Sequence, residues 1–185
     1  MMRYALLVRG INVGGKNKVV MAQLRQELAE LGLENVDTYI NSGNIFFDSS
    51  KARTLLVESL QGFFGVYYPF IKSFSLVSQE DYEEELRNLP DWWFQDMARK
   101  DVLFYTEGIH VETVVEKVKT LQLLDEVLHF GKHGIFWGKL SEDTYAKTAY
   151  HKQLLKLPFY RKITIRNANT FDKIGQLLKN YEGDR

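Results

Sequence analysis

The order of apolar segments constrains this fold more than any other feature, because one pattern of six segments occurs twice along the chain. In the first half, residues 4–8 form a short continuous apolar run, which is typical of a strand covered on both faces. A helical stripe built on Met21, Leu24, Leu28 and Leu31 follows. Two strand-like segments then flank residues 41–44, and a second helical stripe and a last strand over residues 70–77 complete the order strand–helix–strand–strand–helix–strand.

The second half repeats this order. A strand at residues 102–105 precedes a helical stripe, and two strands flank residues 131–134. A helix over about residues 142–155 and a strand over residues 162–166 follow. The pattern predicts an α+β fold with two duplicated ferredoxin-like (βαββαβ) units. The alternative is one continuous mixed sheet with the same elements. An extra C-terminal helix has one apolar side: Phe171, Ile174, Leu177, Leu178 and Tyr181.

Charge marks the junction between the two units. Residues 80–126 carry 13 acidic and 5 basic side chains, and Pro90 should end the helix in which this acidic run begins. We therefore expect a first unit over residues 1–79, an acidic helix and linker over 80–100, and a second unit with the C-terminal helix over 101–185. Trp92 and Trp93 follow the acidic helix and are predicted to plug the space between the units, with a partner-binding patch as the alternative.

Composition excludes several classes of function. The chain has no cysteine, so disulfides, thiolate metal sites and cysteine nucleophiles are absent. Basic and acidic residues both number 24, so no overall charge favours nucleic acid or anionic lipid. No apolar run approaches the roughly 18 residues of a membrane span, and the N-terminus lacks the pattern of a signal peptide. We expect a cytoplasmic protein without a membrane partner.

The strand order of a ferredoxin-like unit predicts where a site should lie. With strands in the order 4-1-3-2, the end of strand 1, the turn between strands 2 and 3, and the loop before strand 4 share one edge. In the first unit this edge gathers residues 9–18, 41–44 and 67–69. Loops that converge at such an edge carry function disproportionately often.

The first of these loops has the composition of an anion-binding loop. Glycine lets backbone N–H groups approach a ligand, and lysine and arginine add positive charge. The alternative is a mobile loop whose glycines serve turns and whose lysines are solvated. A P-loop is disfavoured because Asn17 stands where that motif requires Ser or Thr. The predicted ligand-binding residues here are Arg9, Gly10, Asn12, Gly14, Gly15 and Lys16.

Two further segments supply predicted ligand-binding residues. The turn contributes Asn41, Ser42 and Asn44, although a hairpin turn alone would explain those residue types. Near the C-terminus, Arg166 and Asn169 stand at the start of the last helix, where an anion or a simple helix cap would fit equally well. Head-to-tail packing of the units would bring Arg9, Lys16 and Arg166 into one cleft.

The remaining titratable residues form no recognisable motif. His110 and His133 lie in loops at matching edges of the second unit and are expected to approach each other, but no metal-binding spacing surrounds them. We therefore predict no metal site, and the sequence assigns neither a catalytic residue nor a cofactor.

The motif at residues 9–18, followed by the one at 41–44, resembles a bacterial family catalogued as domain of unknown function 1697. The likeness extends to residues 166–167 and 169–170, with two departures: Val20 stands where the family tends to have proline, and Ala168 where it usually has tryptophan. The resemblance implies the two-unit α+β fold and no particular activity, substrate or cofactor. It draws attention to Arg9, Asn12, Lys16, Asn41, Ser42, Asn44, Arg166 and Asn169.

Taken together, these patterns predict a protein that binds an anionic small molecule, such as a nucleotide or another phosphorylated metabolite, with or without acting on it. The first alternative is a nucleic-acid-binding module, which ferredoxin-like sheets often provide; the zero net charge disfavours it. The second is a structural or interaction protein that uses the acidic helix together with Trp92 and Trp93. The sequence leaves the oligomeric state open.

Overall fold

The first unit is a four-stranded antiparallel sheet joined by two helices. The computed structural model describes residues 1–179. The strands β1 (Met2–Val8), β2 (Glu34–Tyr39), β3 (Asn44–Ser49) and β4 (Phe74–Ser78) lie in the order β2-β3-β1-β4. Helix α1 (Met21–Glu30) joins β1 to β2, and α2 (Arg53–Tyr67) joins β3 to β4. The predicted strand order 4-1-3-2 is confirmed.

The second unit repeats this sheet after the short acidic helix α3 (Gln79–Arg87). Its strands β5 (Arg99–Phe104), β6 (Glu126–Phe130), β7 (Gly134–Lys139) and β8 (Thr164–Asn167) lie in the order β6-β7-β5-β8. The helices are α4 (Val111–Lys119), the single turn α5 (Ala149–Lys152) and the C-terminal α6 (Ala168–Lys179). The predicted fold class, two ferredoxin-like units with a C-terminal helix, is confirmed. Tyr181, which the apolar stripe included, lies outside the described residues.

Helices α3 and α6 lie between the two sheets and share one core with them. The rings of Tyr82 in α3 and Phe171 in α6 stack with their centroids 4.8 Å apart, and Trp93 meets Phe171 edge-on at 5.6 Å. Leu7 of the first sheet and Phe136 of the second sheet belong to the same core. The opposite face of the first sheet packs against α1 and α2, and that of the second packs against α4 and the segment before β8. The inner strands are therefore covered on both faces.

One predicted helix is wrong. Residues 142–155 do not form a continuous helix: a 3₁₀ turn at Tyr145–Lys147, α5, and a second 3₁₀ turn at Leu154–Lys156 follow one another. The break lies at Thr148, whose backbone is extended and whose hydroxyl accepts from the His151 N–H, as an N-cap does. The carboxylate of Glu126 accepts from the first two N–H groups of α5, and this contact with β6 is invisible in the local pattern.

The turn between β2 and β3 explains the spacing of the first hairpin. Positive φ falls on Ile40 and Gly43 rather than on Asn41, and Asn44 already belongs to β3. Gly43 is required here because a Cβ atom would lie 2.4 Å from Val8 Cγ2. The Val8 N–H donates to the Gly43 carbonyl at 3.0 Å, which ties the turn to the end of β1.

Every helix within residues 1–179 falls short of the length and apolar content that crossing a bilayer requires.

Candidate functional site

A cleft of about 370 Å³ opens where one edge of the first sheet meets the second unit. Its walls come from the loop after β1, the turn between β2 and β3, the start of β5, and residues 145–166. Within residues 1–179, no aspartate or glutamate lines it. The charged and aromatic lining residues are Arg9, Arg99, Arg166, Tyr145, Tyr150, His151 and Tyr160.

Arg166 spans the gap between the two sheets. It is 8% exposed, and its Nη2 donates to the carbonyls of Val8 at 2.7 Å and Gly43 at 3.2 Å. Its Nε donates to Asn44 Oδ1 at 2.6 Å, and its Nη1 donates to the Ile165 carbonyl at 2.9 Å. All of these partners are neutral. Burial, and secondarily the nearby Arg9, lowers the pKa of Arg166 to about 10, so the guanidinium remains charged at neutral pH.

Arg9 faces the same cleft from the end of β1. Its Nη1 donates to the carbonyls of Tyr160 and Ile163, and its guanidinium lies 4.4 Å from the centroid of the Tyr160 ring. Among the described residues, no partner is recorded for Nε or Nη2 of Arg9. The structure therefore brings Arg9 and Arg166, but not Lys16, to one cleft. Among residues 1–179 neither arginine forms an ion pair with a carboxylate.

A third arginine enters the cleft from a charged cluster on the second sheet. Arg99 donates from Nε to Asp101 Oδ2 at 2.8 Å and from Nη1 to the Tyr145 hydroxyl at 3.1 Å. Arg99 and Lys139 are cross-strand partners, and Lys139 Nζ lies 3.6 Å from the same Asp101 oxygen. This ammonium also lies 3.6 Å from the centroid of the Tyr150 ring. The Asp101 carboxylate thus lies beside both Arg99 and Lys139, and the cluster of these three side chains keeps a net positive charge.

Burial shifts the pKa values of two groups in this cluster. Lys139 is 1% exposed, and desolvation lowers its pKa to about 8, against a smaller opposing effect of Asp101, whose carboxylate lies 3.6 Å from Nζ. Burial also raises the pKa of the Tyr150 phenol far above its usual value. Tyr150 is therefore a neutral phenol at physiological pH, and its ring presents an aromatic surface to the cleft.

Two predicted site residues support the cleft without lining it. Asn12 donates from Nδ2 to the carbonyls of Val19 at 3.1 Å and Asn41 at 3.0 Å, and its Oδ1 accepts from the Val19 N–H. Asn44 is fully buried and donates to Ser42 Oγ at 3.2 Å while accepting from Arg166. These amides fix the loop after β1 and the β2–β3 turn, and their hydrogen bonds are made within the protein.

The other predicted residues divide into two groups. Gly10 and Ser42 line the cleft beside Arg9 and Arg166. The remaining five lie elsewhere. Gly14 and Gly15 both have positive φ in a tight turn closed by the hydrogen bond from Lys16 N–H to the Val13 carbonyl. The last three predicted residues lie outside the cleft lining and are exposed to solvent: Lys16, Asn41 and Asn169.

Sequence reasoning missed the aromatic wall and the charged cluster behind it. The missed residues are Arg99, Asp101, Lys139, Tyr145, Tyr150 and Tyr160. Two signals were present. Asp101 directly precedes the apolar run at residues 102–105, and Lys139 closely follows the one at residues 135–137; charged residues rarely become buried without a specific role. Residues 144–171 contain six lysines and arginines and no acidic residue, which marks a positively charged segment.

A separate group of side chains has the composition of a metal site. Ligand atoms of Asp81, Glu84 and His133 lie within 4.8 Å of one another. Glu84 already accepts from Lys132 Nζ at 2.8 Å, so an ammonium group supplies positive charge at this position. His133 Nε2 lies 3.6 Å from Asp81 Oδ1. His133 packs against α3, where its backbone N–H donates to Glu85, and His110 lies at the start of α4; the approach of these two histidines stays a prediction.

Comparisons with known proteins cover most of the chain. A sequence model of the family described as protein of unknown function (DUF1697) matches residues 1–136. Among solved structures, the conserved bacterial protein SP0830 from Streptococcus pneumoniae is 71% identical, and the comparison covers 96% of this chain and 99% of that one with a TM-score of 0.95. A search of curated proteins returns no match. The fold and both units are thus shared with a solved bacterial protein.

Proposed function

The chain belongs to the family described as protein of unknown function (DUF1697), and from the geometry of its cleft we propose that it binds a small molecule that carries a phosphate or carboxylate group. One observation carries the proposal: the guanidinium of Arg166 is buried, has only neutral partners and borders an open cleft. Buried charges are ordinarily paired, because an unpaired charge loses its hydration without compensation.

An anion in the cleft would compensate two positive charges at once. Arg9 offers Nε and Nη2, which lie on one edge of the guanidinium and suit two parallel hydrogen bonds to a phosphate or carboxylate. Arg166 adds charge from a site that is shielded from bulk water, where electrostatic attraction is stronger than at an exposed surface. The anionic group would therefore lie between Arg9 and Arg166.

The aromatic lining indicates what the rest of the ligand resembles. Tyr145, Tyr150 and Tyr160 present rings around the cleft, and planar groups stack favourably on such rings. The cleft volume of about 370 Å³ falls at the lower end of the range typical of small-molecule sites, roughly 300–1,000 Å³. A mononucleotide or a phosphorylated metabolite with a planar group fits these features.

The two alternative functions have weaker support. A ferredoxin-like nucleic-acid module uses an exposed sheet face, whereas the inner strands here are covered on both faces. An interaction surface at Trp92 and Trp93 is poorly supported, because Trp93 is 3% exposed and packs into the shared core, where a partner protein would not reach it.

The proposal is tested by thermal shift and calorimetry with adenosine monophosphate, inorganic phosphate and uncharged adenosine. We expect the monophosphate to raise the Tm, since a ligand at about 100 times its Kd adds roughly 2.7 kcal/mol to the free energy of unfolding. The effect should weaken as salt rises, and adenosine alone should have little effect.

Two variants localise the binding. Arg9→Met removes a cation from the cleft, and Arg87→Met removes an exposed arginine at the end of α3. We expect Arg9→Met to abolish the Tm shift and Arg87→Met to retain it. The proposal is wrong if a panel of phosphorylated and carboxylated metabolites leaves the Tm of the wild-type protein unchanged, or if Arg9→Met binds as tightly as the wild type.

A further inference from the structure

A second groove, of about 640 Å³, lies on the other side of the segment that precedes β8. It is bounded by the loop between β5 and α4, one face of α4, residues 158–162 and the loop that leads into β4. None of the residues that line the first cleft lines this groove. The two cavities are separate, and the groove is the larger.

The floor of the groove is apolar. Val114 on α4 and Phe159 are both buried, and Ile109 packs against the same core from the loop before α4. Pro158 adds a further apolar wall. An elongated hydrocarbon group in the groove would bury surface against these side chains and so be removed from water.

The rim of the groove is positively charged. Lys72, Lys117, Arg161 and Lys162 border it, and no ion pair is recorded for any of the four among residues 1–179. The single acidic lining residue, Glu107, is paired with Arg53. Positive charge thus surrounds an apolar floor without a counter-charge of its own.

We propose that this groove binds a single-chain amphiphilic anion, with its hydrocarbon chain on the floor formed by Val114 and Phe159 and its anionic head at the lysine and arginine rim. The combination of the two chemistries carries the assignment. An apolar ligand alone would leave the charged rim without a partner, and a small hydrophilic anion would leave the half-buried Ile109 and the exposed Pro158 in contact with water. This site is independent of the ligand proposed for the first cleft.

The test is calorimetric titration of the full chain with octanoate, decanoate and laurate, each below its critical micelle concentration. We expect saturable binding of one molecule, with the Kd falling roughly tenfold for each two methylene groups added. Dodecanol, which has the chain of laurate without its charge, should bind at least tenfold more weakly.

Paired variants on α4 locate the site. Lys117→Glu should raise the Kd of laurate more than tenfold, whereas Lys119→Glu makes the same charge change on the same helix outside the groove and should alter it less than twofold. Thr113→Trp fills the groove and should block binding, whereas Glu112→Trp places the same side chain on α4 outside the groove lining and should not. The proposal is overturned if laurate does not bind, if dodecanol binds equally well, if both members of either pair behave alike, or if the protein binds vesicles of anionic lipid but not monomeric laurate.

Discussion

Arg166 Nη2 donates a hydrogen bond to the Val8 carbonyl at 2.7 Å, although 158 positions separate the two residues along the chain. The bond joins the last strand of the second sheet to the end of the first strand of the first sheet. The same guanidinium holds the β2–β3 turn through Gly43 and Asn44. One side chain therefore connects the two units and lines the cleft that they form.

The planar shape of Arg166 should matter as much as its charge. A lysine retains the charge but cannot reach the Val8 and Gly43 carbonyls and Asn44 Oδ1 together, so acceptors at a buried position would lose their donors. We expect Arg166→Lys to lower the free energy of unfolding in urea by about 1–3 kcal/mol. Arg161→Lys, at an exposed position with no side-chain hydrogen bond or ion pair to residues 1–179, should stay within about 0.5 kcal/mol of the wild type. Equal stability of the two variants would show that the hydrogen-bond geometry is unimportant.

Gly43 should tolerate no side chain. Its φ of +94° disfavours any residue with a Cβ, and the added atom would overlap Val8. We expect Gly43→Ala to lower the free energy of unfolding by more than about 2 kcal/mol. Gly62 lies in α2 with open space around it, so Gly62→Ala should raise stability by about 0.5–1 kcal/mol. Thermal or chemical denaturation of both variants tests this contrast; a neutral Gly43→Ala would contradict the tight turn.

Glu126 should stabilise the folded conformation of the segment that forms one wall of the cleft. Its carboxylate accepts from the Ala149 and Tyr150 N–H groups at 2.9 and 3.0 Å and from Trp137 Nε1 at 3.0 Å. We expect Glu126→Ala to destabilise the protein by about 3 kcal/mol, because buried donors lose a charged acceptor. Hydrogen exchange should then accelerate at residues 145–156 first.

The matched control for this variant is Glu116→Ala, which alters an exposed residue of α4. It should leave both stability and exchange within error of the wild type. If exchange in residues 145–156 is unchanged in Glu126→Ala, the carboxylate does not hold this segment.

The buried Lys139 predicts a pH dependence with a definite sign. Its pKa in the folded state is about 8, below the usual 10.5, so between these values the unfolded chain binds more protons than the folded one. Stability contributed by this residue must therefore rise with pH in that window. We expect the difference in unfolding free energy, wild type minus Lys139→Met, to be flat from about pH 6 to 7 and to increase from about pH 8 to 10. A flat difference across the whole range would show that burial does not perturb this amine.

The local patterns of the chain were sufficient for the architecture. The stripe from Met21 to Leu31 and the apolar run at residues 4–8 gave the correct element types, because helix and strand periodicities are properties of neighbouring residues. The pattern failed where a distant residue intervenes. Residues 142–155 have helical spacing, but Thr148 and the carboxylate of Glu126 break the helix into short turns.

The candidate site was predictable only in part. Arg9, Gly10 and Ser42 were predicted because strand order places their loops at one edge of the first sheet. Arg166 was predicted from its position at the start of the last helix. All four line the cleft. The aromatic wall was not predicted, since two of its tyrosines, Tyr145 and Tyr150, lie in the segment that was expected to form one continuous helix. Gly14 and Gly15 were predicted to bind the ligand, but the structure places both in a tight turn outside the cleft lining.

The sequence by itself determined the order of the strands and of most helices, the apolar segments that form the core, and the convergence of three loops at one edge of the first sheet. Only the tertiary structure decided that Arg166 would be buried against Val8 with neutral partners, and that Lys139 would share Asp101 with Arg99. The physical reason is that periodicity is encoded between residues a few positions apart. The desolvation and pairing of a charge depend instead on which distant elements close around it, and those contacts form only when the two units pack.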